Sequence, residues 1–188
     1  GLVAQLQRNE YIRYAREATP VVTTLATPFE LGKANVIRFR GEKDRFIDAF
    51  DTVLAEDYRG EGESIAIVAC GPMVPEAMRA AWILRADHGI ECRVVNVHTI
   101  RPLDEAALVA AAADTGAVVT CEEHQAGGLG NIVAGVLSQN PKSAGALVDQ
   151  VGVCGFGESG DPWVLMKAFG LSAEFIAQRC LKVLKQKG

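Results

Sequence analysis

Two glycine-rich stretches hold the residue types best placed to do chemistry. GFGESGDP, Gly155–Pro162, opens with G-x-G-x-x-G, the spacing that lets backbone amides approach a dinucleotide pyrophosphate. CEEHQAGGLGN, Cys121–Asn131, follows an apolar run and leads into a helical pattern whose first amides could accept an anion. The dinucleotide reading needs a second parallel strand, ending in an acidic residue, within about 30 residues. No strand pattern follows Gly160, so GFGESGDP reads as a tight turn feeding a capped helix. It is not a hydrolase nucleophile elbow either, because a glycine directly follows Ser159 and breaks G-x-S-x-G. In the second stretch Glu122 and Glu123 would repel an anion where a phosphate loop offers Lys or Arg. We read Glu122, Glu123, His124, Gly127, Gly128 and Gly130 as a buried polar loop at a domain or subunit contact.

Other reactive side chains are scattered. His124 beside two carboxylates could do acid–base work, or be a satisfied structural group; His98 in NVHTIRPLD follows a strand end and carries the same two readings. The three histidines share no metal-ligand spacing with one another or with the cysteines, so no metal is expected. Arg13 and Arg16 in YIRYARE could hold a phosphate bidentately, or be a surface pair bonded to nearby glutamates. The five cysteines are odd in number, lack a C-x-x-C pair and mostly lie in apolar runs, as buried thiols of a reducing compartment do.

The elements that must position these residues alternate in type. Strands are expected at Ser64–Cys70, Cys92–Val97, Ala117–Glu122 and Leu147–Val153, with helices between them: one ending at His88–Gly89, then Asp104–Asp114 and Leu129–Ser138. That rhythm predicts an α/β, doubly wound, mostly parallel sheet of about five strands, with helices on both faces. Asn35–Arg40 alternates and is expected as one antiparallel edge strand. Asp161 and Pro162 open a helix Trp163–Phe169, and Ser172 caps a last amphipathic one. DRFIDAFDTVLAEDY places Phe46, Phe50, Val53 and Leu54 on one helical face, so 44–62 is expected as an inserted helix and loop. Residues 1–18 read as the tail of a preceding domain, a helix end and a strand YIRYA, and 19–34 as a linker leading to the main domain at 35–188.

Composition sets the remaining bounds. Of 188 residues 49% are apolar and 22% charged, as in a globular protein, and one core of ordinary size fits the length. A net charge of −4 argues against nucleic acid, and no run approaches the roughly 18 apolar residues of a membrane span. No signal peptide opens the chain, which begins at Gly1 as an internal start would, and a cytoplasmic location is expected.

Taken in order, YIRYAREATPVVT, TPFELGKANVIR, ACGPMVPEAMRAA, NVHTIRPLD, VVTCEEHQAGGLGN, FGESGDPW and FGLSAEFIA resemble the C-terminal part of transketolases, of the short or split bacterial type. The resemblance implies a three-part, thiamine-diphosphate-dependent enzyme moving a two-carbon ketol unit between sugar phosphates. One part binds the diphosphate through Mg²⁺, a second grips the pyrimidine, and the third corresponds to this domain. The family's GDG-and-Asn motif and its activating glutamate have no counterpart here. The chain alone is therefore expected to hold no cofactor, metal or catalytic residue, to be inactive, and to work with the upstream domains or subunit as a homodimer. Arg16, matching a Ser-Arg or Gly-Arg step of the family at Ala15–Arg16, is implied to bind the substrate phosphate, with Arg13 the lesser candidate. EEHQAGGLG is implied to pack toward the neighbouring domain and dimer partner. The β subunits of 2-oxo acid dehydrogenases and deoxyxylulose-phosphate synthases share the pattern and stand as alternatives. So does a non-catalytic module that binds a small ligand or a partner.

Overall fold

The computed structural model describes residues 9–188. Six strands form one sheet: β1 Asn35–Phe39, β2 Phe50–Leu54, β3 Ile65–Ala69, β4 Cys92–Asn96, β5 Ala117–Gln125 and β6 Leu147–Val153. Five α-helices join or follow them: α1 Met73–His88, α2 Glu105–Thr115, α3 Leu129–Gln139, α4 Pro162–Ala168 and α5 Ala173–Lys187. The spatial order is β2-β1-β4-β3-β5-β6. β3, β4, β5 and β6 are mutually parallel, whereas β1 runs antiparallel to both β4 and β2.

The parallel strands are continuous apolar runs because both faces are covered. Alternate residues of β3 point opposite ways: Ile65, Ile67 and Ala69 join one core with α1 and α5, while Ala66 and Val68 join the other with α2 and α3. From Met73 to Leu84 α1 is mostly buried, with Met73, Met78 and Leu84 fully enclosed; each such side chain contributes about 1.5–3 kcal/mol by leaving water. Trp82 faces outward and donates its indole N–H to Glu42 at 3.2 Å. Gly89 ends α1 in the left-handed region at φ 64°, its amide bonded to the Arg85 carbonyl.

The expected mixed, mostly parallel sheet is present and holds six strands. Two expectations are corrected. First, β2 lies where a helix was expected over Asp44–Tyr58: a 3₁₀ turn Phe46–Ala49 leads straight into it. β2 pairs with β1 from Phe39↔Phe50 to Asn35↔Leu54, so β1, the one strand that runs against the others, lies inside the edge rather than at it. β1 would otherwise present a bare row of amides and carbonyls, and pairing outweighs the helical spacing of the same apolar residues. Second, YIRYA forms no strand, because among the described residues no strand lies beside it; residues 9–20 are exposed and neither helical nor extended in a sheet. The helix end expected ahead of it lies outside the described residues.

The segment that follows is tied down where it enters the domain. Phe29 stacks on His98 with ring centroids 4.4 Å apart. The Asn35 side chain donates to the Pro28 carbonyl at 3.0 Å, and the Ala34 amide donates to Asp104 at 2.8 Å. Asp104 uses its other oxygen to cap α2 through the Ala107 amide at 3.1 Å.

Candidate functional site

Open α/β sheets bind ligands at the carboxyl ends of their strands, where the strand order reverses. Here that point lies between β3 and β5, since β4 sits on one side of β3 and β5 on the other. Cys70 and Pro72 follow β3 there, and Glu122, Glu123 and His124 end β5. The strand was expected to end at Glu122, but β5 continues through a register irregularity between Cys121 and Gln125, so Glu123 and His124 also belong to it.

Glu122 is buried, and its carboxylate accepts the Leu129 amide at 2.7 Å and the Gly130 amide at 3.1 Å. Those are free donors of the first turn of α3, so the anion at this helix start is the chain's own side chain. The glycines follow from that packing. A Cβ on Gly128 would stand 2.3 Å from a Glu122 oxygen, and one on Gly130 would stand 2.6 Å from the Gln150 side chain. GFGESGDP is likewise self-capped. Asp161 accepts the Trp163 and Val164 amides at 3.0 and 3.1 Å, with Pro162 in the first turn of α4, as the sequence predicts. Ser172 stands at the N-cap of α5 but donates to Glu174, and the Ala173 amide donates to buried Glu76 of α1 at 2.7 Å.

Beside the crevice the chain's own preceding segment forms a cleft of about 440 Å³, lined by Arg13, Arg16, Pro72, Pro75, Glu123 and Trp163 among others. Arg16 is almost fully exposed and its nearest acid is Glu17, 3.8 Å away. The structure thus brings Arg13, Arg16 and Glu123 to one cleft and leaves Glu122, Gly128 and Gly130 to the α3 cap. His124 is exposed, with Nδ1 3.4 Å from the Gln125 carbonyl oxygen. His98 is half-buried under Phe29; burial pulls its pKa down, and Nδ1 meets the Thr99 hydroxyl at 2.9 Å. Burial, assisted by Glu122, pushes the Cys70 thiol up to about 11, so it is a poor nucleophile at neutral pH. Cys92, Cys121 and Cys180 are buried free thiols; Cys154 is exposed.

The opposite, amino end of the sheet holds a charged cluster that sequence reasoning missed. Buried Glu63 receives Arg38 at 2.5 Å, Arg93 at 2.8 Å and the Tyr58 hydroxyl. Arg93 also reaches Asp114 at 2.9 Å and stands 4.8 Å from the Tyr58 ring centroid, and Arg38 reaches Glu91 at 3.3 Å. Burial acts to raise the Glu63 pKa, but the hydrogen bonds from Tyr58 and backbone amides and the charge of Arg93 outweigh it, leaving about 2. Burial and the bond to Glu63 push Tyr58 up to about 12. An Arg within each of the apolar runs NVIRFR and CRVVNV was the available signal, since a buried guanidinium requires a carboxylate partner.

The family described as the C-terminal domain of transketolase matches residues 56–176. This chain belongs to that family. It is 36% identical over 180 residues to the 6-deoxy-6-sulfo-D-fructose transketolase subunit SqwH of Clostridium sp. (strain MSTE9), covering 94% of this chain and 48% of that protein. It is 31% identical over 189 residues to a putative transketolase C-terminal section of Methanocaldococcus jannaschii, covering 98% and 51%. Among solved structures, a split-gene transketolase in an inactive β4 tetramer superposes with a TM-score of 0.72 at 34% identity, covering 90% of this chain and 48% of that one. The transketolase C-terminal domain therefore spans, with its flanking residues, about half the length of these relatives.

Transketolase relatives point in general to thiamine diphosphate, whose diphosphate is carried on a divalent metal. The described residues do not fit that group. No three of their His, Cys, Asp or Glu side chains are gathered to hold a metal ion, and both glycine loops lead to helix starts filled by Glu122 and Asp161. Also among the described residues, no helix is long and apolar enough to cross a membrane.

Proposed function

We propose that this chain supplies the C-terminal part of a thiamine-diphosphate-dependent transketolase and acts there as scaffold and subunit contact, without activity of its own. The carrying observation is the match along nearly the whole chain to a transketolase subunit of which it spans only half. The self-capped helix starts support the same reading. A domain that fills its own anion sites leaves the cofactor diphosphate and its metal to residues elsewhere, in upstream domains or a partner subunit. We place Glu123, His124 and Gly127, at the exposed end of β5, toward that partner in a homodimer or larger assembly, in the cytoplasm.

The substrate class is a ketose with a terminal anion. The relatives' names include a sulfonated fructose and apulose 4-phosphate, and a guanidinium forks onto a sulfonate as well as a phosphate. Arg16, exposed at the cleft mouth, is the residue that grips the anion, with Arg13 in second place. Ketol transfer from xylulose 5-phosphate, assayed with the upstream polypeptide, thiamine diphosphate and Mg²⁺, tests the reading. Activity is expected only in the mixture. Arg16→Ala should raise KM for the phosphorylated donor about ten-fold or more, the worth of one charge-assisted bond; an unchanged KM removes Arg16 from the site. Deoxyxylulose-phosphate synthases match at 39% identity over 63% of this chain, so pyruvate decarboxylation by the same mixture is the competing outcome.

A further inference from the structure

The sheet ends on two unlike edges. β2 is five residues long, and its Asp51 is held by Arg40 at 2.6 Å; short length and charge are devices that keep an edge from pairing. β6 is seven residues long and pairs with β5 alone; its LVDQVGV contains neither Pro nor Lys, and its one charge, Asp149, is turned to Arg179 and Lys182 and accepts the Gln150 amide at 2.8 Å. Beside β6 runs a cleft of about 550 Å³, walled by Phe175, Arg179 and Lys182 of α5 and closed by Phe169. Gln150, Val151 and Gly152 of β6 line it, whereas no residue of β5 does, so it opens along the unpaired side of the strand.

The charge on this wall is not balanced. Arg179 and Lys182 share a single carboxylate, Asp149, at 3.4 and 3.6 Å, and both side chains remain about half exposed. Two cations on one anion leave a net positive charge, and Lys185 extends the exposed stripe in the last turn of α5. The chain as a whole carries −4. We infer that β6 and this cleft take an extended acidic segment of a partner protein as a seventh strand. Its backbone pairs along Leu147–Val153 on either side of the Gln150 amide, which Asp149 already holds; its carboxylates meet Arg179 and Lys182, and an apolar side chain rests between Phe169 and Phe175. Because alternate residues of a strand share a face, acid and apolar anchors fall two residues apart, in an acid-x-acid-x-apolar pattern.

The test is fluorescence anisotropy of a labelled heptapeptide, Glu-Thr-Glu-Thr-Val-Thr-Val, titrated with the full 188-residue chain. Saturable binding is expected. It should weaken at least ten-fold when Lys replaces each Glu of the peptide, when alternate peptide amides are N-methylated, and in the Arg179→Glu/Lys182→Glu variant. Circular dichroism and melting of that variant check its fold; the two altered peptides test the idea without any mutation. Absence of saturable binding overturns the inference, and so does equal binding of the N-methylated peptide, which would mean the edge takes no strand. Sedimentation showing a dimer that excludes the peptide overturns it as well, giving the edge to a second copy of this chain.

Discussion

The two ends of the parallel sheet neutralise charge in opposite ways. At the amino end side chains answer side chains: Glu63 is enclosed by Arg38, Arg93 and Tyr58, far from any helix start. At the carboxyl end, carboxylates answer backbone amides. Glu122 holds the first turn of α3, Glu76 that of α5, Asp104 that of α2 and Asp161 that of α4. The first arrangement depends on mutual desolvation of ions, and the second on dipoles that the chain cannot move. The difference leaves the carboxyl end, the usual ligand position of such a sheet, with few free amides at its helix starts. At four of the five helix starts the anion requirement is met from within; α1 begins at Pro72 without a side-chain cap.

Breaking each end should separate them by size. Glu63→Ala strands two buried guanidinium groups and should cost about 3–5 kcal/mol in urea denaturation. The same residue sets an acid dependence. Its folded pKa of about 2 lies below the ordinary value of 4.5, so its stabilisation is complete above about pH 5 and is lost as pH falls through 4.5 toward 2. Melting temperature should therefore fall over that window, and less steeply in Glu63→Gln. A native protein equally acid-sensitive with Gln at 63 would transfer the effect to the carboxyl end.

A smaller loss is expected where amides are the partners. Glu122→Ala leaves two α3 amides without their acceptor and should cost about 1–3 kcal/mol. Gly128→Ala should cost a similar amount by pressing a methyl group on the Glu122 carboxylate. In the double variant the two losses should fall short of their sum, because the shorter side chain removes the clash; strict additivity would refute the shared site. The smallest effect belongs to Asp161→Ala, about 1 kcal/mol for one exposed N-cap, read as a small shift in thermal midpoint.

The alternating middle of the chain was legible in the sequence because its signals are local. β3 to β6 and α1 to α3 follow apolar runs punctuated by glycine, and the Asp161–Pro162 cap is written in adjacent residues. What was not legible depends on distant partners. Phe46, Phe50, Val53 and Leu54 fit a helical face as well as a strand, and only the open side of β1 decides between them. Nothing in the spacing of Arg38, Glu63 and Arg93 says that they meet. Glu122 was visible as an acid beside glycines, but its role as the cap of α3 requires knowing that β5 runs on past it. Arg13 and Arg16 reach the cleft through a segment whose expected strand has no neighbour among the described residues.

The position of β1 has a mechanical consequence. The chain enters the sheet not at its rim but between β2 and β4, with the Asp104 carboxylate clasping the residue just ahead of the strand. A pull along β1 from the upstream side loads both of its ladders in shear, so many hydrogen bonds must fail together, where an edge strand would unzip one bond at a time. A pull from the residues ahead of β1 is thereby passed into the domain as through a rivet rather than a hinge, and Pro28 to Ala34 is the stretch where compliance ends.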